Sequence, residues 1–169
     1  AFSKYGFAHE RCAECGFVCV NPYPPSDTLT KLYDGAYYTQ VRELFEAPML
    51  RDEGKATPYS APVDALEEMI ARASGHLEIG SWLDVGGGLG AFADLVRKRR
   101  PRWRVRLNEL NRNSIALAHQ LFDLDVVDAD AQSLRERPER YDVISSVAVA
   151  EHTPDPLVFL NDYAQLLKP

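Results

Sequence analysis

The sequence predicts an α/β fold: a doubly wound, Rossmann-like parallel sheet preceded by an irregular segment rich in Cys, Tyr and Pro. Two observations carry this. From residue 61 onward, short apolar runs alternate with segments whose apolar residues recur at helical spacing, the pattern of strands joined by crossover helices. The first of those runs ends in Gly86-Gly87-Gly88-Leu89-Gly90 and leads straight into a helix, the strand–turn–helix arrangement at which open α/β sheets bind ligands. Residues 1–60 differ in character. They are rich in Tyr, Pro and Gly, hold all three cysteines and show little sustained periodicity. The spacing therefore predicts two parts, residues 1–60 and residues 61–169.

Within the second part, Val63, Leu66, Met69, Ile70 and Ala73 mark one face of a helix over Val63–His76, with Pro62 at its start and Gly75 near its end. Trp82–Val85 reads as a short buried strand. Ala91–Arg99 is a helix with Phe92, Leu95 and Val96 on one side, closed off by Pro101. Val105–Leu110 is the second strand, Asn113–Phe122 the next helix and Asp125–Val127 the third strand. Tyr141–Val149 reads as the fourth strand and Asp155–Leu167 as a last amphipathic helix. Such βαβ units take right-handed crossovers. Four strands are fewer than a doubly wound sheet usually has, the chain stops directly after a helix, and it starts at Ala1. These features predict a piece of a longer protein, cut at both ends. The fourth strand would then form a bare apolar edge, through which association into a homo-oligomer is expected.

Composition sets the bounds. With 169 residues, 46% apolar and 26% charged, the chain is globular in character. Its longest nearly unbroken apolar stretch, Val143–Ala150, contains two serines and falls far short of the roughly 18 residues a membrane span needs. No signal-peptide pattern opens the sequence, and three cysteines do not close a disulfide framework, so a cytoplasmic location is expected. The net charge of −6 disfavours nonspecific binding to nucleic acid. Arg97, Lys98, Arg99, Arg100, Arg102, Arg104 and Arg106 crowd seven cations into ten residues. They fall at the sheet end opposite the glycine turn and are expected to form a solvated face rather than an RNA-binding edge.

The turn allows a ligand to approach the backbone closely, and the helix after it points free N–H groups at whatever sits above. Two cofactor classes fit the spacing. Gly86-x-Gly88-x-x-Ala91, with Glu109 following 19 residues after Gly90, matches the dinucleotide fingerprint of an NAD(P)-dependent oxidoreductase. Asp84, Gly86, Gly88 and Gly90 match an acidic-x-Gly-x-Gly-x-Gly pattern. Charge separates them: a carboxylate two residues before the glycines repels a diphosphate and attracts an ammonium and a sulfonium, which favours S-adenosylmethionine. Glu109 ends the second strand, where a carboxylate can accept from both ribose hydroxyls, or else cap the following helix. Asp130 follows the third strand in Asp128-Ala129-Asp130-Ala131 and can accept from an adenine amino group, or serve as an N-cap.

Taken together, Leu83–Gly90, Asn108–Leu110, Ala129–Leu134, Tyr141–Ile144, Glu151–Pro156 and the closing Leu166-Leu167-Lys168-Pro169 resemble a class I S-adenosylmethionine-dependent methyltransferase over about residues 60–169. The resemblance implies that Asp84, Gly86, Gly88 and Gly90 hold the methionine end of the cofactor. It further implies that Glu109 takes the ribose, Leu110 packs on adenine, Asp130 and Ala131 bind the adenine edge, and Ser146 and Val147 approach the reactive side. The expected reaction is methyl transfer to an O, N or C atom of a small-molecule acceptor. His152, after the fourth strand, is the candidate base, with fixing of the loop as its alternative role. A truncated, non-catalytic cofactor-fold module is the remaining alternative.

Cys12-Ala13-Glu14-Cys15-Gly16-Phe17, then Asn21-Pro22-Tyr23-Pro24, Leu32-Tyr33 and Tyr37-Tyr38, are similar to the zinc-ribbon leader of a small-molecule methyltransferase subfamily. The resemblance implies that this chain keeps one of two Cys-x-x-Cys pairs. His9, Cys12, Cys15 and Cys19 count to the four ligands of a structural zinc site, but Cys19 reads as a buried strand residue, and no zinc site is expected in this chain alone. Tyr33, Tyr37, Tyr38 and Tyr59 are candidates for a lid over the pocket, or for ordinary packing.

Overall fold

The computed structural model describes residues 1–4, 6–34, 59–74 and 77–169, and the chain divides into two compact units, Ala1–Phe45 and Glu46–Pro169. Among the described residues, no helix is long and apolar enough to cross a membrane.

The first unit is more regular than its sequence predicts. Strands β1 (Phe2–Lys4), β2 (Phe7–Arg11) and β3 (Val18–Val20) form an antiparallel meander, followed by helix α1 (Ser26–Asp34). No periodic signal announces them because these strands are short and bury little: β1 is exposed throughout and β2 and β3 are at most half-buried. Cys19 lies on β3 as expected, but its side chain is exposed rather than buried, because it pairs with Glu10 on the outer face of the meander.

In the second unit, β4 (Ser81–Val85), β5 (Arg104–Asn108), β6 (Asp125–Val127) and β7 (Val143–Ser145) form a parallel sheet in the order β6-β5-β4-β7. Among the described residues, five α-helices accompany it: α2 (Ser60–Ser74), α3 (Ala91–Arg99), α4 (Arg112–Phe122), α5 (Ala131–Arg135) and α6 (Pro156–Ala164). The two-residue alternation along β4 explains the layering. Trp82 joins Val63, Ile70, Phe92, Val96 and Ala118, from α2, α3 and α4, and Trp103, from the turn before β5, in one core. Leu83 and Val85 point the other way and join Leu134, Tyr141 and Leu166, with Phe159 and Tyr163 of α6 packed alongside. Helices cover both faces, as the doubly wound arrangement requires.

Caps set the helix boundaries. Asn111 accepts from the Ser114 N–H to start α4, and Asp155 accepts from the Leu157 and Val158 N–H groups to start α6, so Asp155 stands outside that helix. The last helix ends at Ala164 rather than Leu167 because Leu166 and Lys168 pair instead with Tyr141 beside the sheet. The fourth strand is also shorter than expected. It covers Val143–Ser145, after which Ala148 turns left-handed (φ 57°) and Ala150–His152 form a 3-10 turn. Each of the seven clustered cations has a carboxylate: Arg97 and Lys98 on Asp94, Arg99 on Asp64 and Glu67, Arg100 on Glu67, Arg102 on Glu78, Arg104 and Arg106 on Asp125. The cluster is an ion-paired face. Tyr59 packs edge-on against Phe92; Tyr37 and Tyr38 lie outside the described residues, as does the side chain of Tyr33.

Candidate functional site

The carboxyl ends of the four parallel strands carry the candidate residues, and parallel register brings them level: Val85 pairs with Asn108, Asn108 with Val127, and Asp84 with Ser145. Asp84 leaves β4 buried, with 1% of its surface exposed. Its Oδ1 accepts from the Ser145 hydroxyl at 2.8 Å, and the Ser145 oxygen accepts from the Trp82 indole N–H at 2.8 Å. Its Oδ2 is buried without a hydrogen-bond partner among the described residues. Burial pushes the Asp84 carboxyl up to about 7; the Ser145 hydrogen bond opposes that shift and the charge of Glu109 adds to it.

The turn wraps this carboxyl. Gly87 lies directly against it, for a Cβ there would overlap Asp84 Oδ2 and come within 2.5 Å of Leu107 Cδ1. Gly90 caps α3 with φ 86°, and a Cβ there would overlap Leu124. Gly86 donates its N–H to the Asn108 carbonyl at 2.8 Å and lies beneath Val149, from the loop after β7. The Gly88 N–H donates to Glu109 Oε2 at 2.9 Å, while Glu109 Oε1 accepts from the N–H groups of Leu110 and Asn111 at 2.8 Å. Those local bonds pull Glu109 and Leu110 out of the strand, so β5 ends at Asn108 and not at Leu110. Leu110 stands 60% exposed beside the site, an open apolar surface.

Asp130 caps α5 through the Ser133 N–H at 2.8 Å, which holds its exposed carboxyl below its ordinary range. Ala131 opens that helix. Ser146 is exposed at the end of β7, whereas Val147 packs half-buried against the first core. His152 ends the 3-10 turn, exposed, with its N–H on the Val149 carbonyl at 2.8 Å, one turn from the side chain that covers Gly86.

Four further residues hold the site together without having been legible as part of it. Asn108 donates from Nδ2 to the Val127 and Ala129 carbonyls, at 2.9 and 2.7 Å, and its Oδ1 accepts from the Tyr163 hydroxyl at 3.3 Å. Burial, with the charges of Asp130 and Asp162, pushes the Tyr163 hydroxyl up to about 12. Ser145 and Trp82 are the others. Polar residues at the ends of apolar strands, Asn108 and Ser145, are the signal that could have found them.

In the first unit, the structure brings two of the four candidate zinc ligands together. The Cys12 thiol is held below its ordinary value by hydrogen bonds from the Cys15 and Glu14 backbones and by the Cys15 side chain. The His9 ring stacks on Phe2. Among the described residues, no three His, Cys, Asp or Glu side chains cluster closely enough to hold a metal ion.

Compared with known proteins, residues 51–169 match the family described as a methyltransferase domain. The chain belongs to that family. A curated relative, the ubiquinone biosynthesis O-methyltransferase of Parvibaculum lavamentivorans, is 32% identical over 102 residues, 59% of this chain and 40% of that enzyme. The chain thus spans about two fifths of the length of the curated relatives it matches. Among solved structures, the plantazolicin methyltransferase BpumL, in complex with a triazolic desmethylPZN analogue and S-adenosylhomocysteine, superimposes with a TM-score of 0.64 at 15% identity, covering 83% of this chain and 53% of that one. The magnesium protoporphyrin IX methyltransferase of Synechocystis PCC 6803, with bound S-adenosylmethionine, gives 0.57 at 14% identity, covering 88% and 75%. At these identities the likeness establishes the methyltransferase fold.

Proposed function

We propose that the second unit binds S-adenosylmethionine over the glycine turn and serves methyl transfer to an O, N or C atom of a small-molecule acceptor. The observation that carries this is the pair of buried carboxyls at the turn. A glycine-rich loop before a helix is by default an anion site. Here Glu109 occupies the Gly88 N–H and Asp84 lies under Gly87 with one oxygen unpartnered, so the crevice suits a cation. A dinucleotide would set its diphosphate against both carboxyls, which disfavours the oxidoreductase alternative.

The residues fit this cofactor. Asp84, Gly86, Gly88 and Gly90 would hold its methionine end, Glu109 the ribose hydroxyls, Leu110 the adenine face, and Asp130 with the Ala131 N–H the adenine edge. Ser146 and Val147 would border the reactive side. When bound, the cofactor supplies a methyl group already activated by a cationic sulfur. The chain contributes alignment and exclusion of water, and a His152 ring nitrogen takes the acceptor's proton where the acceptor must lose one. In this reading residues 61–169 carry the cofactor and residues 1–60 form a leader. Its Cys12-Ala13-Glu14-Cys15-Gly16 turn between β2 and β3 supports the zinc-ribbon likeness, with two of the four ligands such a site needs.

Calorimetric titration with S-adenosylmethionine, S-adenosylhomocysteine and NAD tests the proposal. Binding of the first two and not the third is expected, with Glu109→Ala weakening it by about 1–3 kcal/mol. Tight NAD binding would overturn it.

A further inference from the structure

Resting on the cofactor assignment above, we propose that Ser145, relayed from Trp82, is a positioning residue for the cofactor site: its hydroxyl fixes Asp84 through Oδ1 and leaves Oδ2 as the face turned to the glycine turn. The hydroxyl has a single proton and spends it on Asp84 Oδ1 at 2.8 Å; its own oxygen is held by the Trp82 indole N–H at 2.8 Å. Three side chains from two adjacent strands thus form a one-way chain of donation that ends on the carboxyl. All three are buried, Trp82 fully, Asp84 to 1% exposure and Ser145 to 5%. Strand register enforces the arrangement, since Ser145 is the β7 partner of Asp84, and Trp82 projects from the same face of β4 two residues earlier.

Direction matters here. A hydroxyl that only donates to the carboxyl stabilises its ionised form, the form that attracts a cation, against burial and against the charge of Glu109. The groups facing Asp84 are Glu109 from the end of β5, the neutral Ser145 from β7, Trp82 within β4, and Gly87 with Leu107 across the turn. Of these, Glu109 is the other ionisable one, and it favours the proton. Ser145 is therefore the group that keeps Asp84 available as an anion near neutral pH.

The test uses the 169-residue chain with Ser145→Ala, Ser145→Cys and Ser145→Thr. Cys keeps the volume but donates weakly; Thr keeps the hydroxyl. The affinity for S-adenosylmethionine is measured by calorimetry from about pH 5.5 to about pH 9. In parallel, the Asp84 carboxyl is titrated by 13C NMR without ligand. Ala and Cys are expected to raise the carboxyl midpoint by about one unit, to weaken binding about tenfold near pH 6, and to converge on the wild type near pH 9. Thr is expected to follow the wild type, and Trp82→Phe to shift the midpoint in the same direction by less. A loss equal at every pH, or a Cys variant that matches the wild type, would make Ser145 mere packing and overturn the proposal. Should the wild-type chain bind no S-adenosylmethionine, the cofactor assignment fails, and the carboxyl titration still decides whether Ser145 tunes Asp84. If Ser145→Ala does not fold, the Cys and Trp82→Phe arms carry the same decision.

Discussion

Replacing Asp84 by Asn should make the fold more stable and the site useless. The carboxyl has an ordinary value of 3.8 and sits at about 7 in the fold. The folded chain therefore holds the proton more tightly than the unfolded one. Its stability contribution is fully present below about pH 4 and is lost as pH rises through about 7. A displacement of about three units corresponds to about 4 kcal/mol that the ionised carboxyl withholds from the fold at pH 8. Asn removes that charge but sets an amide N–H group where Oδ2 now lies without a partner, at a cost of about 1–2 kcal/mol. The net expectation is a gain of about 2–3 kcal/mol at pH 8 and a loss of about 1–2 kcal/mol at pH 4, where the wild-type carboxyl is protonated in the fold. Urea unfolding followed by tryptophan fluorescence reads it directly, because the chain's two tryptophans, Trp82 and Trp103, both lie in the core beside Asp84's strand. S-adenosylmethionine binding should be lost in the same variant. An Asn chain no more stable than the wild type at pH 8, with the same gap at both pH values, would refute the reasoning that Asp84 is held as a costly buried acid.

Three further outcomes follow from the same geometry. Gly87→Ala must displace Asp84 or Leu107, so loss of S-adenosylmethionine binding by calorimetry and destabilisation of about 2 kcal/mol or more by urea unfolding are expected. Asn108→Ala removes the Asn108 side-chain bonds to the Ala129 carbonyl and the Tyr163 hydroxyl and leaves the Val127 carbonyl with the Glu109 N–H alone, which should cost about 1–3 kcal/mol in unfolding experiments and loosen the loop carrying Asp130. His152→Ala should lower turnover on an acceptor that must be deprotonated while leaving cofactor affinity within about twofold, as measured by methyl-transfer kinetics beside calorimetry.

The parallel sheet was legible because β4, buried on both faces, reads as an apolar run, because the turn after it is nearly all glycine, and because segments of helical spacing separate the strands. Ala91–Arg99 and Asp125–Val127 occur as expected to the residue. Where boundaries differ, side chains compete with the backbone pattern. Glu109 bonds the N–H groups of Leu110 and Asn111 and ends β5 early. Tyr141–Val149 reads as one long strand, yet the chain must bend after Ser145 for Val149 to cover Gly86. Helix α5 is a five-residue turn set by the Asp130 cap, too short to show periodicity. In the first unit the meander was hidden for the opposite reason, since strands that bury little leave no alternating pattern. Trp82 reads as core from sequence and is core, but its indole N–H also starts a polar relay, and pattern alone does not distinguish a ring that only fills space from one that also donates.

For Asp130 the cap role leaves room for the ligand role, whereas α4 is capped by Asn111 and Glu109 instead bonds the N–H groups that precede that helix. A carboxylate offers about four acceptor positions. Glu109 spends three on backbone N–H groups, and Asp130 Oδ1 spends one on Ser133. These backbone bonds anchor each carboxyl and leave acceptor capacity over, so structural bonds and the proposed recognition would draw on different lone pairs of one group. For Glu109 the consequence reaches further, because the N–H it consumes at Gly88 is one that an anion would otherwise find at the head of α3. Glycine spacing at such a turn is shared by diphosphate and sulfonium binders alike. What assigns the charge of the guest is whether the chain has already supplied its own anion to the turn, and here it has.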